Sequence, residues 1–215
     1  MKTLSRLGGA LAMAAGAALT LGSSVAAAQS VNFQGSTDGC FGVACAPASG
    51  TSSFGGLTFS DSTFDVTTVD GFVGIGAAPG TPNLNNLGSF SLSGSPFSYT
   101  GNNFELLVSF TVPPGTVPTS GTFTSTLQGS VVSSNNGGLF INFDNTAQAF
   151  SYGAGPTAGT FTFSVNDLSL VAGGTVAVTG NLNTQVSAIP EPETYALLMA
   201  GLAAVGFMSR RRKKA

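Results

Sequence analysis

The side chains able to carry acid–base chemistry in this chain are almost all carboxylates. Between Arg6 and Arg210 the sequence contains no lysine, arginine or histidine. A nucleophile therefore has no histidine base to activate it, and Ser–Lys and Schiff-base mechanisms lack their amine. The lysine of a phosphate-binding loop is missing as well. The acidic residues between positions 29 and 188 are Asp38, Asp61, Asp65, Asp70, Glu105, Asp144 and Asp167.

A pair of these carboxylates is the remaining route to catalysis, and such a pair would suit a glycoside hydrolase. Glycan clefts usually also offer tryptophan platforms, and this sequence has no tryptophan. We therefore expect a protein that is not an enzyme and that needs no cofactor. We also expect no nucleic-acid partner, because contacts with phosphate depend chiefly on lysine and arginine.

Three aspartates, Asp61, Asp65 and Asp70, lie close together in the segment SDSTFDVTTVDG. Carboxylate oxygens are the hard ligands that calcium prefers. Their spacing does not fit an EF-hand loop, and isolated aspartates at strand ends commonly form turns. We expect solvated turns at these positions and no bound metal, with a calcium site formed by the three residues as the alternative.

The N-terminal residues have the layout of a secretory signal peptide over residues 1–28. Two basic residues precede an apolar run over residues 7–21, and a short stretch of alanines follows. We expect Ala26 and Ala28 to form the cleavage site, Gln29 to begin the mature chain, and Sec-type machinery to export it. The alternative is a buried helix or a retained membrane anchor, although the apolar run is short for a span.

Cys40 and Cys45 are the two cysteines of the chain, and they enclose the short loop CFGVAC. An exported chain enters an oxidising compartment, where a disulfide is the default state of such a pair. The spacing is not the C-x-x-C of redox enzymes, and two cysteines without histidine make a poor zinc site. We predict a structural Cys40–Cys45 disulfide, with two free thiols as the alternative.

The body over residues 29–188 alternates apolar and polar side chains, which indicates half-buried β-strands. In FELLVSFTV, for example, Phe104, Leu106 and Val108 fall on one face. Separators such as GTPNLNN and SNNGG are rich in turn-forming residues. About nine to eleven short strands without a helix predict an all-β fold, an antiparallel β-sandwich of jelly-roll type or a related barrel. A solenoid is the alternative, weakened by the lack of long repeats.

The C-terminal residues 189–215 combine three features. Pro190, Glu191 and Pro192 form a segment that cannot continue a helix and favours an extended backbone. The apolar run YALLMAGLAAVGFM follows; as a helix it reaches about 21 Å, and extension at both ends would bring it near the roughly 30 Å of a hydrocarbon core. We therefore predict a transmembrane helix. A basic cluster comes last and is expected to stay in the cytoplasm as a stop-transfer signal. It consists of Arg210, Arg211, Arg212, Lys213 and Lys214.

This arrangement resembles the PEP-CTERM sorting signal, in which Pro-Glu-Pro precedes a short apolar helix and an arginine-rich end. The resemblance implies recognition by an exosortase, a membrane-embedded, transpeptidase-like cysteine protease of Gram-negative bacteria. It also implies an inner-membrane intermediate, followed by transfer to the cell surface or extracellular matrix, and an association with exopolysaccharide. Whether the C-terminal helix is removed or retained stays open, and a plain single-span anchor is the alternative.

The sorting signal indicates where the protein is delivered and says little about what the body over residues 29–188 does. We expect an exported, surface-sorted structural or adhesive protein of the envelope, exopolysaccharide or biofilm matrix. The alternative is a carbohydrate-binding β-sandwich that retains exopolysaccharide. Tyr99 and Tyr152 are the only tyrosines of the body, and the lack of tryptophan weakens this alternative.

Overall fold

The computed structural model describes residues 30–48, 50–76, 85–154, 158–186 and 197–203. The predicted signal peptide with Ala26 and Ala28 lies outside these residues. So do the Pro190–Pro192 triplet and the basic cluster at 210–214. Of the predicted C-terminal span, residues 197–203 are described and are helical. No helix within the described ranges is long and apolar enough to cross a membrane.

Short strands separated by turns make up nearly all of the described body. In chain order they are β1 (Asn32–Phe41), β2 (Thr51–Phe54), β3 (Leu57–Ser60), β4 (Ser62–Thr67), β5 (Phe72–Ile75), β6 (Ser89–Leu92), β7 (Phe97–Ser98), β8 (Asn102–Val112), β9 (Ser120–Ser133), β10 (Asn136–Phe143), β11 (Gln148–Tyr152), β12 (Gly159–Val165), β13 (Leu168–Val171), β14 (Thr175–Ala177) and β15 (Gly180–Val186).

Three antiparallel sheets are formed by these strands. The large sheet has the order β13-β10-β9-β8-β1-β4, with β7 also paired to β9. The second sheet has the order β11-β12-β15-β5 and the third the order β14-β6-β3-β2. Together the sheets curl as a half-barrel. The predicted mostly-β antiparallel fold is thus confirmed, while the jelly-roll connectivity stays a prediction.

The core lies where the inner face of the large sheet meets the two smaller sheets. Alternation buries Phe104, Leu106 and Val108 of β8, as predicted for this face. Aromatic rings join the layers: Phe104 of the large sheet contacts Phe90 of the third sheet with centroids 4.8 Å apart. On the other side, Phe110 contacts Phe161 of the second sheet at 5.0 Å. Burial of this apolar surface is the main stabilising contribution to the fold.

Glycines in β1 let the aromatic rings approach its backbone. Gly35 and Gly39 point into the core, where alternation would otherwise place a side chain. A Cβ added at Gly39 would lie 2.5 Å from ring atoms of both Phe59 and Phe104. The ring of Phe64 occupies the equivalent space beside Gly35. The absence of side chains at these two positions therefore makes room for the rings.

The predicted number of strands is too low, because closely spaced turns divide several apolar segments. The segment FGGLTFSDSTFDVTTVDGFVGIG, for example, supplies parts of four strands, β2 to β5. Pairing between distant strands, such as β1 with β8 and β5 with β15, is also unlike a solenoid, in which each repeat contacts its neighbours.

Candidate functional site

Two aspartates of the calcium alternative, Asp61 and Asp65, accept hydrogen bonds from different segments. Asp61 accepts a hydrogen bond of 2.7 Å from the backbone N–H that precedes β2. Asp65 accepts hydrogen bonds of 2.7 and 3.0 Å from the side-chain amides of Asn32 and Gln34. Asp70 lies in the turn before β5, with a φ of 52°. Asp61 and Asp65 therefore connect neighbouring segments and Asp70 forms a turn, which fits the prediction of turn and surface residues.

Within the described part of the chain, one group of three potential metal ligands lies within 4.8 Å, and it consists of Cys40, Cys45 and Glu105. Both sulfurs belong to a disulfide. The thiolates that a metal would require are therefore not available. Asp61, Asp65 and Asp70 form no such group among these residues.

The Cys40–Cys45 disulfide closes a loop directly after β1, with the Cα atoms 6.0 Å apart, and confirms the predicted pairing. Hydrogen bonds attach this loop to β8. The backbone N–H of Ala44 donates to the Glu105 carboxylate at 2.7 Å, and that of Gly42 donates to the Asn103 carbonyl at 3.0 Å. The disulfide loop thus lies against the outer face of the large sheet.

Replacing both cysteines with serine is expected to lower the free energy of unfolding by about 2 kcal/mol, because so small a ring removes only modest entropy from the unfolded chain. The measurement is urea unfolding of the oxidised protein and of the Cys40→Ser/Cys45→Ser variant. Val43→Ala in the same loop is the control, since Val43 is largely exposed. Equal unfolding midpoints for all three proteins would contradict a stabilising disulfide.

Polar side chains line a groove of about 260 Å³ on the outer face of the large sheet, across β8, β9 and β10. Strand register creates it. Asn103 of β8 lies opposite Thr126 of β9, and Asn142 of β10 lies opposite the same threonine. Asp144 follows β10, and its backbone N–H donates to the Thr124 carbonyl at 2.9 Å. Two amides, two hydroxyls and a carboxylate therefore converge on one surface.

The charge state of Asp144 limits what this groove can do chemically. Hydrogen bonds from the side chain and backbone of Thr146 hold the pKa of the Asp144 carboxyl below its ordinary value. The group is thus ionised at neutral pH and accepts hydrogen bonds. A general acid in glycoside hydrolysis needs the opposite shift, a raised pKa. The groove suits hydrogen bonding to hydroxyl groups better than proton transfer.

Sequence reasoning did not find this groove. Its residues are ordinary surface types, and Asn103, Thr126 and Asn142 come together only through pairing of three strands. The one local signal is the alternation in GTFTSTLQG, which places the threonines of β9 on one face of the strand.

The two tyrosines named with the carbohydrate-binding alternative are not on the surface, so neither is available to contact a sugar. Tyr99 is fully buried, and its hydroxyl donates to the Gly55 carbonyl. Tyr152 is also buried, and its ring packs against Phe33 and Phe161. Both rings contribute to the core, where their apolar area outweighs their single hydroxyl.

The sorting segment begins close to the end of the folded body. The last strand, β15, ends at Val186, and the predicted triplet at Pro190 follows after three residues that are not described. In the helical residues 197–203, the side chains of Leu198 and Met199 are mostly exposed. Such an apolar surface fits the membrane-associated role predicted for this part of the chain.

Comparison with known proteins bears on this segment alone. A search of curated proteins and a search of solved structures find no match to the chain. A family model described as the PEP-CTERM protein-sorting motif matches residues 188–213, which include Pro190, Glu191, Pro192 and most of the basic cluster. The chain therefore carries a PEP-CTERM sorting segment after its β-rich body, which implies an exported protein that an exosortase recognises and sorts to the cell surface.

Proposed function

We propose that the body acts at the cell surface of a Gram-negative bacterium as a non-enzymatic structural or adhesive component of the envelope or exopolysaccharide matrix. The observation that carries this proposal is the outer face of the large sheet. Its central strand β9 presents Thr122, Thr124, Thr126 and Gln128 outward, while the chain offers no cation between Arg6 and Arg210. A hydroxyl- and amide-rich face without cations suits many weak contacts with a hydrated matrix.

The absence of histidine from the sequence and the lowered pKa of Asp144 support a non-enzymatic role. Glu105 and Asp144 lie on either side of Thr124, about two strand spacings apart. Glu105 already accepts a hydrogen bond from the Ala44 backbone. The two carboxylates thus lie on the same outer face of one sheet and do not face each other across a cleft.

A second candidate function is carbohydrate binding, which the polar groove on β8, β9 and β10 favours. Amide and hydroxyl groups that converge with an ionised carboxylate can donate to and accept from several sugar hydroxyls at once. The groove is shallow and lacks a tryptophan platform. We infer weak binding to a polysaccharide chain that lies along the sheet, rather than capture of a small sugar.

Alanine at Asn103, Thr126 and Asn142 is expected to reduce co-sedimentation of the protein with exopolysaccharide from the producing cells several-fold. The control variant carries Asn183→Ala, an exposed amide on the second sheet. Because all four side chains are polar and lie outside the core, both variants are expected to unfold at the same urea concentration as the parent protein.

Equal co-sedimentation of the triple variant and the parent protein would show that the groove is not a carbohydrate-binding site. The structural proposal would then depend on a different readout, the adhesion of cells that display the protein. Adhesion unchanged by deletion of the whole chain would contradict the structural or adhesive role itself.

A further inference from the structure

Hydrogen bonds connect both the start and the end of the described body to the same turn. The backbone N–H of Thr68 donates to the Val31 carbonyl at 2.9 Å, and the Val31 N–H donates to the Thr68 hydroxyl at 2.9 Å. The N–H of Thr184 in β15 donates to the Gly71 carbonyl of the same turn at 2.7 Å. Residues 68–71 join β4 to β5, so both ends of the body emerge at one end of the fold, which we call the terminal end.

Exposed apolar side chains flank the exit of β15 on both sides. On one side the β4–β5 connection presents Val69 and Phe72, which are 72% and 49% exposed. On the other side Val117, 63% exposed, forms a bridge with Ser151 of β11. In the second sheet β15 lies between these two sides, with β5 as one neighbour and β12 followed by β11 on the other side. The exit strand is therefore bordered by apolar groups.

The sequence limits how far this end can lie from the sorting segment. Residues 187–194 connect the last residue of β15 to the apolar run that begins at Tyr195. Nine Cα-to-Cα steps separate Val186 from Tyr195, so even a fully extended chain spans at most about 32 Å between them. A sorting segment held by the membrane therefore keeps Val186 within that distance of the bilayer.

We propose that the terminal end is the surface by which the body rests on the lipid bilayer while the sorting segment holds it there, with Val69, Phe72 and Val117 entering the headgroup region. The proposal rests on the membrane association that the sorting motif implies, and not on the role proposed for the body. We assign the lipid bilayer as the partner of this surface, because the short connection over residues 187–194 keeps these side chains close to the membrane.

Charge at the terminal end identifies the kind of lipid contact. Asp70 lies at the tip of the turn between Val69 and Phe72, and the body has no cation to attract anionic headgroups. Binding must then come from apolar burial and not from electrostatic attraction. Neutral lipid is expected to be contacted at least as closely as anionic lipid, and added salt is not expected to release the contact.

Exposed valine at the opposite end supplies a matched control. Val132 is 62% exposed near the hairpin that joins β9 to β10. The antiparallel register of β1, β8 and β9 places that hairpin at the end of the large sheet away from Asn32. The ten residues of β1 alone separate the two ends by about 30 Å.

The experiment uses the full exported chain, purified from membranes of cells that lack exosortase and reconstituted into vesicles of phosphatidylcholine alone. Val69→Cys and Val132→Cys each add one free thiol, because the native cysteines form a disulfide. Each variant is labelled with an environment-sensitive fluorophore, and quenching by headgroup spin-labelled lipid is measured after flotation confirms that the protein stays with the vesicles.

Several-fold stronger quenching at position 69 than at position 132, unchanged by salt, is the expected result. Equal quenching, or stronger quenching at position 132, would overturn the proposed orientation while leaving the sorting function intact. Quenching at position 69 that requires added exosortase would assign the terminal end to that enzyme and overturn the lipid contact. Failure of the chain to float would overturn membrane association, and this proposal with it.

Discussion

Alanine replacement of Pro190, Glu191 and Pro192 is expected to abolish C-terminal maturation while leaving export intact. The two prolines keep the backbone extended between the body and the apolar run, because proline cannot continue a helix and restricts the residue before it. Alanine is the strongest helix former and removes both restrictions together with the Glu191 carboxylate. The processing enzyme would then meet neither the shape nor the charge that the sorting motif provides.

The measurement is intact-mass analysis of the protein from membrane and surface fractions. We expect the triple variant to accumulate at its unprocessed mass in the inner membrane, whereas the parent protein reaches the surface. Glu193→Ala is the matched control, because it removes a carboxylate one residue beyond the triplet and keeps both prolines. Normal maturation of the triple variant would mean that the triplet is not the recognised element.

Local patterns in this chain were sufficient to predict what depends on neighbouring residues. The alternation from Phe104 to Phe110 predicted a half-buried strand, and that strand is β8. The Cys40–Cys45 pair was predictable because an exported chain enters an oxidising compartment and these are its only two cysteines, separated by four residues. Pro190 and the basic tail form a contiguous signal that the sorting-motif match confirms.

Features that depend on strand register were not predictable in the same way. The groove brings Asn103, Thr126 and Asn142 together from three strands, and nothing in each strand alone specifies its partner. Tyr152 could contact a sugar only from the surface, yet it packs in the core next to Phe161. The choice between these environments depends on neighbours that lie far apart in the sequence.

The largest effect on stability is expected for Phe104→Ala. Phe104 is fully buried, and its ring centroid lies 4.8 to 5.0 Å from those of Phe41, Phe59 and Phe90. Truncation removes these contacts and leaves a cavity, which costs about 3–5 kcal/mol for a buried phenylalanine. Single domains have about 5–15 kcal/mol of stability, so the variant is expected to unfold at much lower urea concentration. Phe140→Ala is the control, because Phe140 lies on the outer face of the same sheet and is 38% exposed.

A second substitution tests whether position 39 must be glycine because the Phe104 ring occupies the space that a side chain would need. Gly39→Ala alone is expected to cost about 1–3 kcal/mol, because its Cβ would lie 2.5 Å from the rings of Phe59 and Phe104. In the Phe104→Ala background one of the two colliding rings is gone, and the new methyl group has part of the cavity to enter. The same substitution is therefore expected to cost clearly less in that background, which a double-mutant cycle of urea unfolding measures as a coupling energy. Additive effects would mean that Phe59 or the backbone of β1, and not Phe104, is what excludes a side chain at position 39.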